Sequence, residues 1–259
     1  MPCHATTPRK TTPTVRRNHK GRAAADTAAA ASTVMRASVS VERTEGEFPI
    51  FSIEFTNGAG KTFRGRWDSR RPLLSANSKL KKAAGRYRAI GLAMAPWKFA
   101  GKGNLCSFAS DGCIDACNGL WSGMNVTSST RFALIGRARL YLEFRALFLR
   151  KLREELARFE ALCIRTGRIP AVRLNVSTDI PWEKVAPALF AEFTRTRFYD
   201  YTAFPVELRN PPANYQLCFS WKERTTFAYV ESVIYLPHHV SFMPAAALAA
   251  AAAILSPRS

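Results

Sequence analysis

The sequence predicts an α/β fold in which a parallel sheet forms a partial, TIM-like barrel. The chain has 259 residues, 47% of them apolar, which is enough for one large core. Between residues 73 and 236, short strand-like runs alternate with helix-like runs. Strand, helix, strand is the rhythm of parallel sheets, because a parallel pair needs a long crossover connection.

The first 45 residues are predicted to be a disordered basic tail. Seven Lys and Arg side chains stand against the single acid Asp26 in residues 1–41, among many Ala, Ser and Thr. The composition also resembles an organellar transit peptide. Residues 46–72 follow as a predicted β-hairpin, because strand-like runs at 49–55 and 61–67 flank the glycine-containing turn at 57–60. We expect the hairpin to be a small embellishment of the main domain.

The α/β domain is predicted to span residues 73–236. Residues 90–95 are a short apolar run before Pro96, which predicts a buried strand. A helix is predicted over 127–165, capped by Ser128, Ser129 or Thr130. One apolar stripe recurs along it at spacings of three and four, which predicts that Cys163 is a core residue: Phe148, Leu152, Leu156, Phe159 and Cys163.

Further strands and one helix are predicted in the second half of the domain. The helix spans 181–194 and is bent by Pro187. The predicted strands lie at 171–176, 197–202 and 215–221, with a weaker one at 226–235. Residues 237–259 form an irregular, alanine-rich C-terminal tail in this interpretation, and the barrel looks unfinished. We expect a truncated or frame-altered C-terminus.

Three cysteines lie within twelve residues. Cys106, Cys113 and Cys117 are separated by seven and then four positions, so Cys113 and Cys117 are expected on one helix face. Thiolates are the ligands that soft metals select. A closed structural zinc site needs four ligands, whereas an iron-sulfur cluster with one open iron can use three, so the pattern favours the cluster. A zinc site completed by a distant ligand and three metal-free thiols are the alternatives.

Polar residues that follow the predicted strands are candidates for a ligand pocket. Asn175, Ser177 and Asp179 lie at the carboxyl end of one strand, and Asp200 lies within an aromatic strand. Loops at the carboxyl ends of parallel strands converge on one face, where ligands bind. Asp179 can instead cap the following helix, and Asp200 can point away from the site.

Composition indicates the cellular compartment and the class of binding partner. The 38 Lys and Arg against 19 Asp and Glu give a net charge of +19, which favours nucleic acid or another polyanion as a partner of the basic surface. Aromatic and basic residues do not interleave along the sequence in the manner of single-strand binders. Clustered thiols favour a reducing compartment, and no apolar run is long enough to span a bilayer, so a cytoplasmic protein without a membrane segment is expected.

Several motifs together resemble the phage gene product 88 domain family. They occur in one order over residues 73–222, which makes the resemblance specific. They are LSANSK at 74–79, GLAMAP at 91–96, NLC at 104–106, GC at 112–113, Cys117, RLN at 173–175, Ser177, Asp179, FYDYT at 198–202 and FS at 219–220. The resemblance implies a phage or mobile-element origin but no particular reaction.

A looser resemblance links the strand and three-cysteine loop to radical S-adenosylmethionine enzymes. Those enzymes begin a partial barrel in this way, and their cluster leaves one iron free to bind the cofactor. The spacing here, with six and then three intervening residues, is wider than theirs. The resemblance implies an iron-sulfur cluster and S-adenosylmethionine as cofactors. The competing hypothesis is a non-catalytic nucleic-acid-associated module whose cysteine loop is structural.

Overall fold

The computed structural model describes residues 36–57, 60–76, 85–121 and 127–220. Most of the predicted basic tail, the predicted strand at 226–235 and the alanine-rich segment at 237–259 lie outside this part of the chain. All four histidines, at positions 4, 19, 238 and 239, lie outside it as well. The described chain is a mixed α/β fold with two sheets.

The first sheet has three antiparallel strands in the order β1–β2–β3. They are β1 (Ser38–Glu45), β2 (Phe48–Thr56) and β3 (Thr62–Asp68). The prediction of a tail extending to residue 45 is therefore wrong for β1. This strand begins with alternating serine and valine, and its backbone pairs with the edge of β2. The sequence predicted a two-stranded hairpin, so it gave no reason to expect a third strand beside it.

The second sheet has five strands in the order β4–β5–β6–β7–β8. Its two-residue edge strand β4 pairs antiparallel with β5, and the other three pairs are parallel, as the rhythm of the sequence predicted. The strands are β4 (Leu74–Ser75), β5 (Tyr87–Leu92), β6 (Ile169–Arg173), β7 (Arg197–Thr202) and β8 (Tyr215–Phe219). Within the described ranges β4 and β8 are its two edges, and the sheet is not closed into a barrel.

Two short helices and two long ones connect β5 to β6. The helices are α1 (Asp111–Asp115), α2 (Asn118–Trp121), α3 (Ser128–Glu143) and α4 (Arg145–Arg165). The prediction of one helix over 127–165 is wrong at Phe144, whose φ of −126° and ψ of 53° end α3 before α4 begins. The N-cap of α3 is Thr127, whose side chain accepts a hydrogen bond from the Thr130 N–H at 3.3 Å.

The apolar stripe predicted on α4 is confirmed. All five of its members are buried, and Cys163 is fully buried. The crossover from β6 to β7 holds α5 (Trp182–Val185) and α6 (Pro187–Glu192), separated at Ala186. The prediction of one helix over 181–194, bent at Pro187, is therefore wrong, because the chain leaves the helical conformation before this proline. A 3-10 helix, Val206–Leu208, lies between β7 and β8. None of the helices in the described ranges is both long and apolar enough to cross a membrane.

One hydrophobic core joins the two sheets through α3 and α4. Phe51, Phe55 and Trp67 of the first sheet belong to the same buried cluster as Val172 and Phe198 of the second. The three-stranded sheet is therefore a part of the main core and not a separate embellishment. Because β3 packs directly on α3, a side chain at helix position 136 has no room: a Cβ on Gly136 would lie 2.3 Å from the Trp67 ring.

Candidate metal and ligand site

The cysteine loop begins at a strained residue, Trp97. Its φ of 47° places a non-glycine residue in the left-handed region, which is uncommon and costs free energy. In this conformation the Trp97 N–H donates a hydrogen bond to Cys106 Sγ at 3.3 Å. The Trp97 carbonyl accepts a hydrogen bond from the Leu105 N–H at 3.2 Å. The loop thus directs a backbone N–H at the Cys106 sulfur, an interaction that favours the thiolate.

Cys113 and Cys117 lie on the next turn of chain, on and just beyond α1. The Ser110 side chain caps this helix by accepting a hydrogen bond from the Cys113 N–H at 3.2 Å. The helix ends at Asp115, so the prediction that Cys113 and Cys117 share a helix face is wrong. The Cys117 N–H instead donates to the Ile114 carbonyl at 3.2 Å. All three loop cysteines are half-buried free thiols.

Cys113 and Cys117 are near enough to Cys106 to affect its pKa. Burial raises the pKa of the Cys106 thiol to about 12. The hydrogen bond from Trp97 lowers this pKa, whereas the electrostatic influence of Asp179, Cys117 and Cys113 raises it further. Within the described ranges, no group of three or more His, Cys, Asp or Glu side chains is already arranged to hold a metal ion. The donors are therefore neighbours without forming a finished coordination site.

Asp179 ties the cysteine loop to the carboxyl edge of the parallel sheet. Its N–H donates to the Leu105 carbonyl at 2.8 Å, and its backbone forms an isolated parallel bridge with Cys106. Its Oδ2 accepts a hydrogen bond from the Ala203 N–H, just after β7, at 2.7 Å. One residue therefore joins the segments that follow β5, β6 and β7. The cysteine loop lies at the edge of the sheet where parallel α/β proteins bind ligands.

Side-chain packing fixes the loop at the same edge. The rings of Phe108, in the loop, and Phe204, after β7, have centroids 4.2 Å apart. On the far side of the loop, a Cβ on Gly119 would lie 2.9 Å from Pro96 Cγ and 3.0 Å from Ser177 Cβ. Because the first contact is closer than real Cβ atoms show and the second is very tight, any larger residue here would force its neighbours to shift.

Asn175 and Ser177, two of the predicted ligand-binding residues, both make internal hydrogen bonds. The Asn175 Oδ1 accepts from Thr178 Oγ1, the Ile180 N–H and Trp182 Nε1 at 3.0, 3.0 and 3.1 Å. Its Nδ2 donates to the Ile180 carbonyl at 2.9 Å. Ser177 Oγ donates to the Met94 carbonyl at 2.6 Å. Both side chains shape the turn after β6, and a direct role in binding a ligand stays a prediction.

Asp200 is a buried carboxyl at the centre of the same edge. Its Oδ1 accepts from the Asn175 N–H at 2.7 Å and its Oδ2 from Tyr215 Oη at 2.8 Å. Burial raises the pKa of Asp200 to about 7, although both hydrogen bonds and the charge of Arg173 act in the opposite direction. Arg173 Nε lies 3.8 Å from Asp200 Oδ1. Asp200 thus faces the protein interior, and a role in binding a ligand remains a prediction.

A buried ion pair that the sequence did not reveal supports Asp179. Arg209 donates from Nε and Nη2 to the two carboxylate oxygens of Glu183, at 2.5 and 2.8 Å. Its Nη1 donates to Thr202 Oγ1 at 2.8 Å and lies 3.9 Å from Asp179 Oδ1. The Arg209 and Glu183 side chains are 1% and 3% exposed. Residues so far apart in sequence give no periodic signal, and their pairing could not be predicted.

The arginines on the exposed side of α4 are partly neutralised by acidic neighbours. Arg150 pairs with Glu47, and Arg153 pairs with Glu192. Arg158, whose side chain is 69% exposed, lies 4.0 Å from Glu154. Such exposed pairs contribute little stability, but they reduce the net charge that this helix presents to a polyanion.

Comparison with protein families gives one match. The family model described as Gene product 88 matches residues 70–252, which include the second sheet, the cysteine loop and the helices between its strands. None of the curated proteins and none of the solved structures matches the chain.

Proposed function

This chain belongs to the Gene product 88 family of phage proteins, and we propose that it binds an iron-sulfur cluster through Cys106, Cys113 and Cys117. One observation carries the proposal: the cysteine loop is tied through Asp179 to the segments following three adjacent parallel strands. Three thiols from a single loop suit a cluster with one iron left open, whereas closed zinc sites use four ligands.

The environment of the thiols supports metal ligation. In the metal-free chain, burial and neighbouring charges keep Cys106 protonated, and a bound cation would reverse this preference. The Trp97 N–H would remain as a donor to the ligated sulfur, and hydrogen bonds to sulfur tune the potential of a cluster. Since the described residues hold no finished site, binding would draw Cys113 and Cys117 towards Cys106.

The partial barrel and the cofactor chemistry belong to the same proposal. The four parallel strands β5 to β8 would be one wall of a partial barrel, with the cysteine loop at its mouth. Cys106, Cys113 and Cys117 would hold the cluster, and S-adenosylmethionine is the cofactor that the resemblance to radical enzymes implies beside it. Asn175, Ser177, Asp179 and Asp200 would border that ligand at the carboxyl edge. An iron-sulfur cluster supplies one-electron chemistry when bound.

Anaerobic purification followed by metal analysis and absorption spectroscopy tests this function. Wild-type protein should carry iron and acid-labile sulfide and should show the broad visible absorption of a cluster. Replacing Cys106, Cys113 or Cys117 by serine should abolish both signals. Cys163→Ala and Cys218→Ser are matched controls, because these two thiols lie outside the loop, and both should retain iron. Zinc alone, or equal iron loss in the controls, would contradict the proposal.

The cofactor step has its own readout. Adding S-adenosylmethionine to the reduced cluster should change its electron paramagnetic resonance spectrum, because the ligand would bind the open iron. An unchanged spectrum in a protein that carries a full cluster would refute cofactor binding while leaving cluster binding intact.

A further inference from the structure

The five-stranded sheet has two faces of different character. Side chains that point to one face, including Val172, Phe198 and Leu217, belong to the main core with the helices. The opposite face carries a separate small cluster of Ala89 and Ala171 with Tyr199, and no helix residue of the described chain belongs to it. We call this second surface the tyrosine face.

Alternation along the strands assigns further residues to the tyrosine face. Since successive side chains point to opposite sides, Arg173 lies on the same side as Ala171, and Tyr201 on the same side as Tyr199. A direct contact confirms this placement, because the Arg173 guanidinium lies 4.8 Å from the centroid of the Tyr201 ring. Arg173 also lowers the pKa of Tyr199, which burial raises, so the three side chains are neighbours.

The tyrosine face combines aromatic surface with positive charge. Tyr201 is 51% exposed and is one of the most exposed large hydrophobic side chains of the described chain. Same-face residues two apart on a strand are about 6.7 Å apart, so Tyr199 and Tyr201 present two adjacent rings. Ala89 and Ala171 on the neighbouring strands are buried, so the exposed part of this face lies at Tyr201 and Arg197.

Charge selects the kind of partner. Arg197 is exposed and shares the tyrosine face with Arg173, because it lies two residues before Tyr199. Among the described residues that alternate onto this side of β5 to β8, there is no Asp or Glu. The Nε of Arg173 is buried and makes no hydrogen bond within the described chain. Although Arg173 Nε lies 3.8 Å from Asp200 Oδ1, the two arginines beside the two tyrosine rings complement a ligand that carries both phosphates and flat bases.

We propose that the tyrosine face binds single-stranded nucleic acid, with a base stacked on Tyr201 and a backbone phosphate beside Arg173. This site is distinct from the cysteine loop, and its occupation does not depend on a cluster. A sheet that presents aromatic side chains to successive bases is an established physical solution for single strands, because every base has a flat face.

Fluorescence anisotropy with a labelled oligothymidylate of about 12 nucleotides tests the proposal on the full chain. Because stacking on one ring is worth about 1–3 kcal/mol per base, Tyr201→Leu should weaken binding about 10-fold. Tyr201→Phe, which keeps the ring, should bind within about twofold of wild type. Equal affinity for wild type and Tyr201→Leu would overturn the proposal, as would equal displacement by polyglutamate and by unlabelled oligothymidylate.

Charge-matched variants separate this site from general electrostatic attraction. Arg173→Gln should reduce the dependence of log Kd on log salt by about one, because one phosphate contact is lost. Arg158→Gln removes the same charge from the exposed side of α4 and should leave that slope unchanged. The same slope change in both variants would overturn the assignment of the phosphate to Arg173.

A measurement on wild-type protein covers the outcome in which a variant does not fold. Ultraviolet crosslinking to the oligothymidylate, followed by peptide mass spectrometry, should place the crosslink on the peptide that contains Tyr199 and Tyr201. Crosslinks confined to the basic segment at residues 1–35 would overturn the proposal. The serine variant of Cys106 should give the same crosslink, which distinguishes failure of this site from failure of cluster binding.

Discussion

Replacing Glu183 by glutamine should lower the free energy of unfolding far more than the loss of an exposed ion pair would. Glu183 and Arg209 are almost fully buried, and both guanidinium-to-carboxylate hydrogen bonds are short. Removing the negative partner leaves a charged guanidinium in the interior, which costs about 3–5 kcal/mol in comparable sites. Asp179 lies 3.9 Å from Arg209 and retains part of the compensation, so we expect about 3 kcal/mol.

Urea unfolding followed by far-ultraviolet circular dichroism measures this loss. The matched control is Glu192→Gln, which breaks the exposed pair with Arg153 and should cost less than about 1 kcal/mol. Adding Arg209→Met to Glu183→Gln should recover stability, because the unpaired charge is then removed. Equal losses for Glu183→Gln and Glu192→Gln would refute the interpretation that this buried pair holds the carboxyl edge together.

Three further predictions concern single side chains. The Asp200 carboxyl has a pKa of about 7 when folded, against about 3.9 when unfolded, so wild type should lose stability as pH rises from about 4 to 7. Asp200→Asn should flatten this loss in urea titrations at several pH values, and a parallel loss in both proteins would contradict it. Gly119→Ala should cost about 1–3 kcal/mol by overpacking against Pro96 and Ser177, and an unchanged urea midpoint would refute that contact. Thr127→Ala should lower the free energy of unfolding by about 1 kcal/mol by removing the N-cap of α3, whereas Ser128→Ala should have little effect. The reverse order would support Ser128, one of the three caps that the sequence offered.

The framework of the parallel sheet could be predicted from local patterns. The apolar run at 90–95 overlaps β5, which spans Tyr87–Leu92, and the stripe ending at Cys163 marked α4, because its period follows directly from helix geometry. The break at Phe144 left no such signal, since this residue is neither glycine nor proline and its conformation depends on packing. The strand β1 was missed because it is stabilised mainly by its pairing with β2, which the local sequence does not show.

The sequence predicted the cysteines of the candidate site, but it did not predict the side-chain pairs around them. The short spacing of Cys106, Cys113 and Cys117 predicted that they would lie near one another, because a loop of that length cannot separate them widely. The contact of Arg173 with Tyr201 joins neighbouring strands that lie far apart in sequence. No run of aromatic and basic residues in the sequence therefore predicted it. The same separation hid the pairing of Glu183 with Arg209.

A Mössbauer spectrum of the anaerobically purified, ⁵⁷Fe-enriched protein tests the central proposal most directly. Three cysteines predict a cluster of about four irons in which one iron lacks a thiolate and gives a distinct signal. Addition of S-adenosylmethionine should shift that signal alone. Absence of cluster iron, or one zinc ion per chain in its place, would contradict the assignment of Cys106, Cys113 and Cys117 as cluster ligands.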